Sequence, residues 1–494
     1  MKFTHSQTTH NPTLAVSLIP ILVLLISLAV VILTRGASDV LSMGYKLLLG
    51  ASAVCVALTM ITTTRRFRVL MLGVRKSVRQ IFPAVPVLLF IGTVGATWML
   101  SGVVPGMIYY GVNMLNPVMF LFLACSISAV VSVMSGTSWT TIATIGVAFM
   151  GIGTVMGYDE AWIAGAVISG AYFGDKVSPL SDTTVLAASS TGVKLFSHIR
   201  SLMVTTVPAM AIALAVFACV GLMSGVSGSF DQTDICDAIT STVNISPWLA
   251  LVPLLTIALL AMRAGTTLTL AVSSAVALAV MYVCQPQIVG MLAGDDGGVM
   301  AMAGVGARVL LSSTEVSTGS AMLDPLVATG GVAGMLPTVY LVGSAMIFGG
   351  VMLGSGMLGA ITKSFARRLK STGHLVGATV GSGLFLNSAT GDQYLSIIIG
   401  SNLYRNIYRR LGERPQLLGR ALEDSISVTS VLIPWNSCGM AQSTVLGVST
   451  LAYAPMCVFN YLSPLMSVAV AYGIQAMRRR ARMSSVRSAA VRGL

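Results

Sequence analysis

The sequence predicts an all-α polytopic membrane protein with two inverted-topology repeats, each holding a re-entrant hairpin and a broken transmembrane helix. Three observations predict it. Apolar runs of about twenty residues, enough to cross about 30 Å of hydrocarbon, recur along the 494-residue chain. Only 9% of its residues are charged, against roughly a quarter in soluble domains, and mean hydropathy is +0.86. Polar or proline-containing interruptions also fall at matching places in the two halves. The short alternating segments of a membrane barrel are absent.

In chain order, apolar runs lie near 14–34, 42–62, 83–102, 117–134, 140–157, 161–190, 200–224, 247–262, 266–284, 336–358, 374–388, 392–404, 418–444 and 450–477. The first, from about Leu14 to Leu33, exceeds the roughly 7–15-residue core of a signal peptide and ends in Thr34-Arg35, so it is expected to stay as a span. Residues 1–80 form N-terminal spans, 81–225 a first repeat, 226–335 connecting spans and loops, 336–477 a second repeat, and 478–494 a basic tail. The Gly/Ser/Thr-rich stretch 300–335, with Arg308, Glu315 and Asp324, has no clear assignment.

Charge orients the spans. The net charge of +13 is clustered in RRFRVLMLGVRKSVR (65–79), KSFARRLK (363–370), RNIYRRLGER (405–414) and the RRRAR tail. These read as cytoplasmic basic loops under the positive-inside rule. With both termini inside, all four clusters fall on the cytoplasmic side. Asp159, Glu160, Asp231, Asp234, Asp237, Asp295 and Asp296 fall outside. No interleaving of aromatic and basic residues suggests a nucleic-acid platform. The seven cysteines are far apart and the four histidines scattered, so neither a metal site nor a disulfide framework is expected.

The repeat rests on paired interruptions. MSGTSWTT (134–141) precedes SPLSDTT (178–184), and NSATGDQ (387–393) precedes TSVLIPWNS (429–437) at nearly the same interval. The segments 117–157 and 374–404 each return to the side they left, as a re-entrant hairpin or as two full spans; charge parity is the same for both. The first opens outside and the second inside, which makes the repeat inverted. Matched interruptions of this kind point to a transporter binding site near the midplane. A helix break in lipid exposes carbonyls and amides at several kcal/mol each, and is tolerated where it is buried in protein or lines a wet cavity.

Of sixteen acidic residues, Asp175, Asp182, Asp392, Glu423 and Asp424 fall in or near spans, where a charge is costly and marks function or pairing. A buried carboxylate is neutralised by a proton or by a cation. One site holding either, but not both, exchanges them when access alternates. Asp175 and Asp182 with Ser178, Ser181 and Thr183 supply that chemistry, and Thr137, Ser138, Thr390, Asp392 and Asn436 are further candidates at the breaks. The expected cation is Na⁺ at Asp182, with nearby hydroxyls and backbone carbonyls. Lys176 reads as a counter-charge or as a snorkelling interface residue. Glu423 and Asp424 read as charge partners or as caps of a helix N-terminus near the cytoplasmic end.

GAYFGDKVSPLSDTT (170–184), SGTSWTTIATIGVAFMGIG (135–153), GDQYLSIII (391–399), LEDSISVTSVLIPWNSCG (422–439) and LGVSTLAYAPMCVFNYLSP (446–464) together resemble the NhaC-type Na⁺/H⁺ antiporter family. The likeness runs from about residue 80 to 475. It implies secondary exchange of Na⁺ or Li⁺ for H⁺ in a bacterial inner membrane, with no cofactor because the ions are cargo. It carries over Asp175, Ser178, Asp182, Thr183, Asp392, Glu423, Asp424 and Asn436 as candidate motif residues. Val185 departs from the family pattern, which has Asn there. Family members coupled to malate and lactate make an organic acid an alternative cargo. The lipid bilayer is a partner, and a homodimer is left open.

Two other classes compete. An intramembrane aspartyl protease would use YFGD (172–175), with YD (158–159) as its second aspartate, but Tyr172 replaces a motif glycine and 158–159 maps to a loop. GVSG (225–228), a serine-protease-like match, also maps to a loop. A channel would not need paired breaks in two halves, which suit alternating access around a fixed site.

Overall fold

A computed structural model describes residues 12–36, 39–225, 232–294, 299–315, 328–365 and 371–492. Among them the chain is helical apart from turns and one isolated antiparallel bridge, Thr314–Thr329. Eight helices are long and apolar enough to cross a membrane. A ninth crossing arises if Thr450–Met456 and Val458–Arg478, bent by 57°, form one span.

Several elements differ from the sequence reading. The basic stretch after Thr62 is a helix, Phe67–Ile81, continuous with the next span. It buries Leu70, Gly73 and Ser77 on one face and leaves its cations on the other. That face packs on Gly331–Ser355. A Cβ on Gly73 would lie 2.4 Å from the Gly350 carbonyl oxygen, so two helix backbones touch where both lack side chains, as small residues permit in membranes. The basic 405–414 stretch is likewise helical as far as Arg410, the end of Gln393–Arg410. The acidic loop contains a helix, Gln232–Thr242. The basic tail extends the helix Val458–Arg492. Helix Val299–Leu311 occupies part of the unassigned stretch, while Asp324 lies outside the described residues, as do Asp231, Asp295, Asp296 and residues 226–228 of GVSG.

The interrupted segments take their expected broken form. Phe120–Ser135 turns at Gly136-Thr137 into Ser138–Thr141, which continues through a π-helical turn into Val147–Val155. Glu160–Val177 stops, and Asp182–Thr191 restarts after Ser-Pro-Leu-Ser. In the second half Thr372–Thr390 turns at Gly391-Asp392 into Gln393–Arg410. Pro415–Leu422 passes through a π-helical turn, Glu423–Ser427, before a break that ends at Ser437–Leu446.

The two halves share a conformational rhythm. Gly136, Gly157 and Gly192 have φ of 71°, 88° and 75°, and Gly391, Gly412 and Gly447 have φ of 67°, 69° and 72°. The spacings within the two triplets are identical. The helix N-cap positions Asp159, Ser181 and Lys194 recur as Arg414, Asn436 and Ser449, displaced along the chain by the same interval as the glycines.

Candidate functional site

Each hairpin tip is a glycine in the left-handed region followed by an extended residue: Thr137 at φ −149°, ψ 124°, and Asp392 at φ −146°, ψ 133°. Their local hydrogen bonds match. Ser135 Oγ donates to the Thr137 carbonyl (3.2 Å) and lies 3.2 Å from Thr141 Oγ1. Thr390 Oγ1 donates to the Asp392 carbonyl (2.9 Å) and lies 2.7 Å from Ser396 Oγ. Gly136, Ser138, Thr390, Gly391 and Asp392 are all buried. The tips are therefore enclosed by protein, where a backbone turn is tolerated.

Each tip packs on the break of its own half. A Cβ on Gly136 would lie 2.5 Å from Leu180 Cβ, and one on Gly391 would lie 3.3 Å from the Trp435 carbonyl oxygen. Ser437 N–H donates to the Gly391 carbonyl (2.8 Å). The halves then interlock. Asp182–Thr191 packs against Gln393–Arg410, and Ser437–Leu446 against the first hairpin's returning arm.

Three aspartates converge on this crossing. Asp175 is half-buried, and its Oδ2 accepts from Ser138 Oγ (2.7 Å) and Ser138 N–H (3.2 Å). Asp392 is buried and caps its helix through Leu395 N–H (2.8 Å). Asp182 opens the first turn of Asp182–Thr191 and is exposed. Ser181 caps the restarted helix at Thr184 N–H (3.4 Å) and lies 3.0 Å from Thr183 Oγ1. Ser178 Oγ turns away, donating to the Val133 carbonyl (2.8 Å).

The second break is more fully filled by protein donors. Asn387 Nδ2 donates to the Ile426 carbonyl (2.8 Å), Asn460 Nδ2 to Val428 (2.6 Å) and the Tyr453 hydroxyl to Val431 (3.0 Å). Asn436 caps Ser437–Leu446 through Cys438 N–H (3.1 Å) and donates to Asn387 Oδ1 (2.9 Å). Buried backbone groups require such partners. These side chains hold the unwound carbonyls in an internal network.

A second polar cluster lies on another side of Glu160–Val177. Successive helical residues point about 100° apart, so Lys176 faces away from Asp175. Its Nζ bonds Asp424 Oδ1 and also Ser463 Oγ (2.8 Å), and it sits 5.7 Å from the Phe459 ring centroid. Asp424 further accepts from Ser463 Oγ (2.9 Å) and Thr205 Oγ1 (3.0 Å). Lys176 is 1% exposed and Asp424 0%, which replaces the snorkelling reading of Lys176. Glu423 and Asp424 occupy a π-helical turn beyond Leu422, which replaces the N-terminal capping reading. Both Glu423 oxygens and both His198 ring nitrogens are buried without a hydrogen-bond partner among the described residues.

Sequence reasoning did not single out Thr205, Ser463 or His198 for this cluster, although Ser463 lies within the quoted stretch 446–464. The nearby Pro208 and Pro464, each inside its helix, were the available signal for the first two. Asn387 was quoted within NSATGDQ but not chosen. Asp159 caps the start of the helix that carries Asp175 near its far end, so the two cannot form a protease dyad. Among the described residues no group of three or more His, Cys, Asp or Glu could hold a metal ion.

The model of the Na⁺/H⁺ antiporter family matches residues 170–474. The chain is 36% identical over 404 residues to the Na⁺/H⁺ antiporter NhaC of Alkalihalophilus pseudofirmus, covering 81% of this chain and 83% of that one. It is 33% identical to the Na⁺/H⁺ antiporter NhaC of Bacillus subtilis, covering 81% and 85%. It is 32% identical to the malate-2H⁺/Na⁺-lactate antiporter of Bacillus subtilis, covering 79% and 80%. With a multi-pass helical body and this breadth of similarity, the chain belongs to the NhaC-type Na⁺/H⁺ antiporter family, and is a transporter rather than an enzyme.

Proposed function

We propose that the protein exchanges Na⁺ or Li⁺ for H⁺ by alternating access, with Asp175 and Asp182 as the shared site. One observation carries this reading: half-buried Asp175 is bonded to Ser138 at the first hairpin's tip, and the exposed carboxylate Asp182 opens the helix that restarts after the same break. Cation and proton would compete for these carboxylates, with Ser138, Ser181, Thr183 and Thr137 supplying further oxygens. Asp392, Thr390 and Asn436 form the opposing wall, where their side-chain oxygens already accept from the backbone N–H groups of Leu395, Asp392 and Cys438. Lys176, Asp424 and Glu423 form a neighbouring charge reservoir that couples the halves.

The matched glycines, caps and tips support an inverted-topology repeat spanning 81–225 and 336–477, with re-entrant hairpins. The basic clusters support cytoplasmic termini in a bacterial inner membrane. Repeats of this kind rock against each other around a fixed midplane site.

A second reading, cation-coupled exchange of an organic acid, draws on the similarity to the malate and lactate antiporter. The placement of Arg308 weighs against it: its Nη1 donates to the Leu292 carbonyl (2.8 Å), on a helix outside the crossing. Proteoliposomes with an imposed pH gradient and a lumenal pH dye separate the two. Gradient collapse on adding Na⁺ or Li⁺ alone supports cation/proton exchange; collapse only once malate or lactate is present moves the assignment to the second reading.

A further inference from the structure

Where the end of the 405–414 stretch meets the start of the basic tail, a cavity of about 460 Å³ opens between helices Leu195–Met223, Pro415–Leu422 and Val458–Arg492. Arg200, Arg414, Arg420, Arg478, Glu413 and Gln416 are among the residues that line it. Glu413 is engaged, accepting from Arg478 Nη1 (2.9 Å) and from the Thr372 hydroxyl (2.5 Å). Arg200, Arg414 and Arg420 have no ion-pair partner among the described residues.

Arg420 distinguishes this cavity from a solvated basic surface. It is 4% exposed, and its Nε and Nη2 have no hydrogen-bond partner among the described residues. A guanidinium stays charged in proteins, and burying a charge without a partner is costly. Of the acids that follow it, Glu423, three residues on, makes no hydrogen bond to it, and Asp424 is committed to Lys176, Thr205 and Ser463. We propose that this cavity binds a phosphate group, with Arg420 as the buried anchor and Arg200 and Arg414 closing over it. The planar guanidinium fork matches phosphate oxygens two at a time. Leu195–Met223 and Pro415–Leu422 both begin at this cavity, and Thr372, at the start of Thr372–Thr390, also lines it. Helix ends gathered there place the site where apolar spans give way to lipid headgroups. A lipid phosphate and free phosphate share the chemistry required.

The test uses the delipidated full-length protein in detergent at fixed ionic strength. Thermal unfolding is followed while inorganic phosphate, short-chain phosphatidylglycerol or sodium chloride is titrated. Saturable stabilisation by phosphate identifies a free-anion source, and stabilisation by phosphatidylglycerol alone identifies a headgroup. Arg420→Gln should weaken either response at least tenfold. Because Arg420 is buried, the exposed pair Arg200→Gln with Arg414→Gln serves as a second variant and should weaken it too. Equal stabilisation by chloride, no stabilisation by either probe, or an undiminished response in the double variant would overturn the proposal.

Discussion

Lys176 donates its ammonium to Asp424 across the two halves of the protein, and both side chains are cut off from solvent. The pair is completed by Thr205 and Ser463, which arrive on two further helices. Removing one member of a buried pair strands the other, at about 3–5 kcal/mol, whereas replacing both by apolar residues is often neutral or stabilising. Asp424→Asn is therefore expected to lower the unfolding midpoint sharply. Lys176→Met combined with Asp424→Leu should recover most of the loss, as read by thermal unfolding in detergent. A double variant no better than the single one would show that the pair is not what holds these helices.

The hairpin tips need glycine for two reasons. Gly136 and Gly391 both have positive φ, and a Cβ would meet Leu180 at 2.5 Å or Ala345 Cβ at 2.8 Å. Gly136→Ala and Gly391→Ala should each cost about 1–3 kcal/mol from backbone strain, with further loss from the clash. Both should reduce transport more than an alanine at Gly377, where a Cβ meets nothing within 4 Å. Transport rates normalised to the protein in the membrane decide this.

Glu423 is buried with neither carboxyl oxygen hydrogen-bonded. Leaving such a group unsatisfied costs about 1–3 kcal/mol. Glu423→Met should raise the unfolding midpoint by a corresponding amount. A lowered midpoint would mean that Glu423 has a partner that stabilises it.

Much of this architecture was legible because polar residues are scarce in the chain. SGTSW, SPLSD, NSATGD and IPWNS announced themselves against apolar flanks, and the structure places all four at helix breaks. Asp175 was legible for the same reason. The partners of Lys176 were not: Thr205 and Ser463 lie far from it in sequence, in helices that read as ordinary spans. The helical nature of 67–81 was hidden by its cations, because charge density suggested a loop while the Leu70, Gly73 and Ser77 spacing already described a buried face. Arg420 was not singled out in the sequence, and its burial is what separates it from the exposed Arg414.

The most direct measurement is Na⁺-driven proton flux in proteoliposomes for the unaltered protein, Asp175→Asn, Asp182→Asn and Asp392→Asn, at matched protein density. The shared-site reading predicts that Asp175→Asn and Asp182→Asn abolish exchange, while Asp392→Asn, which keeps an oxygen to cap its helix, retains part of it. Exchange that survives in both Asp175→Asn and Asp182→Asn with unchanged Na⁺ affinity would contradict it.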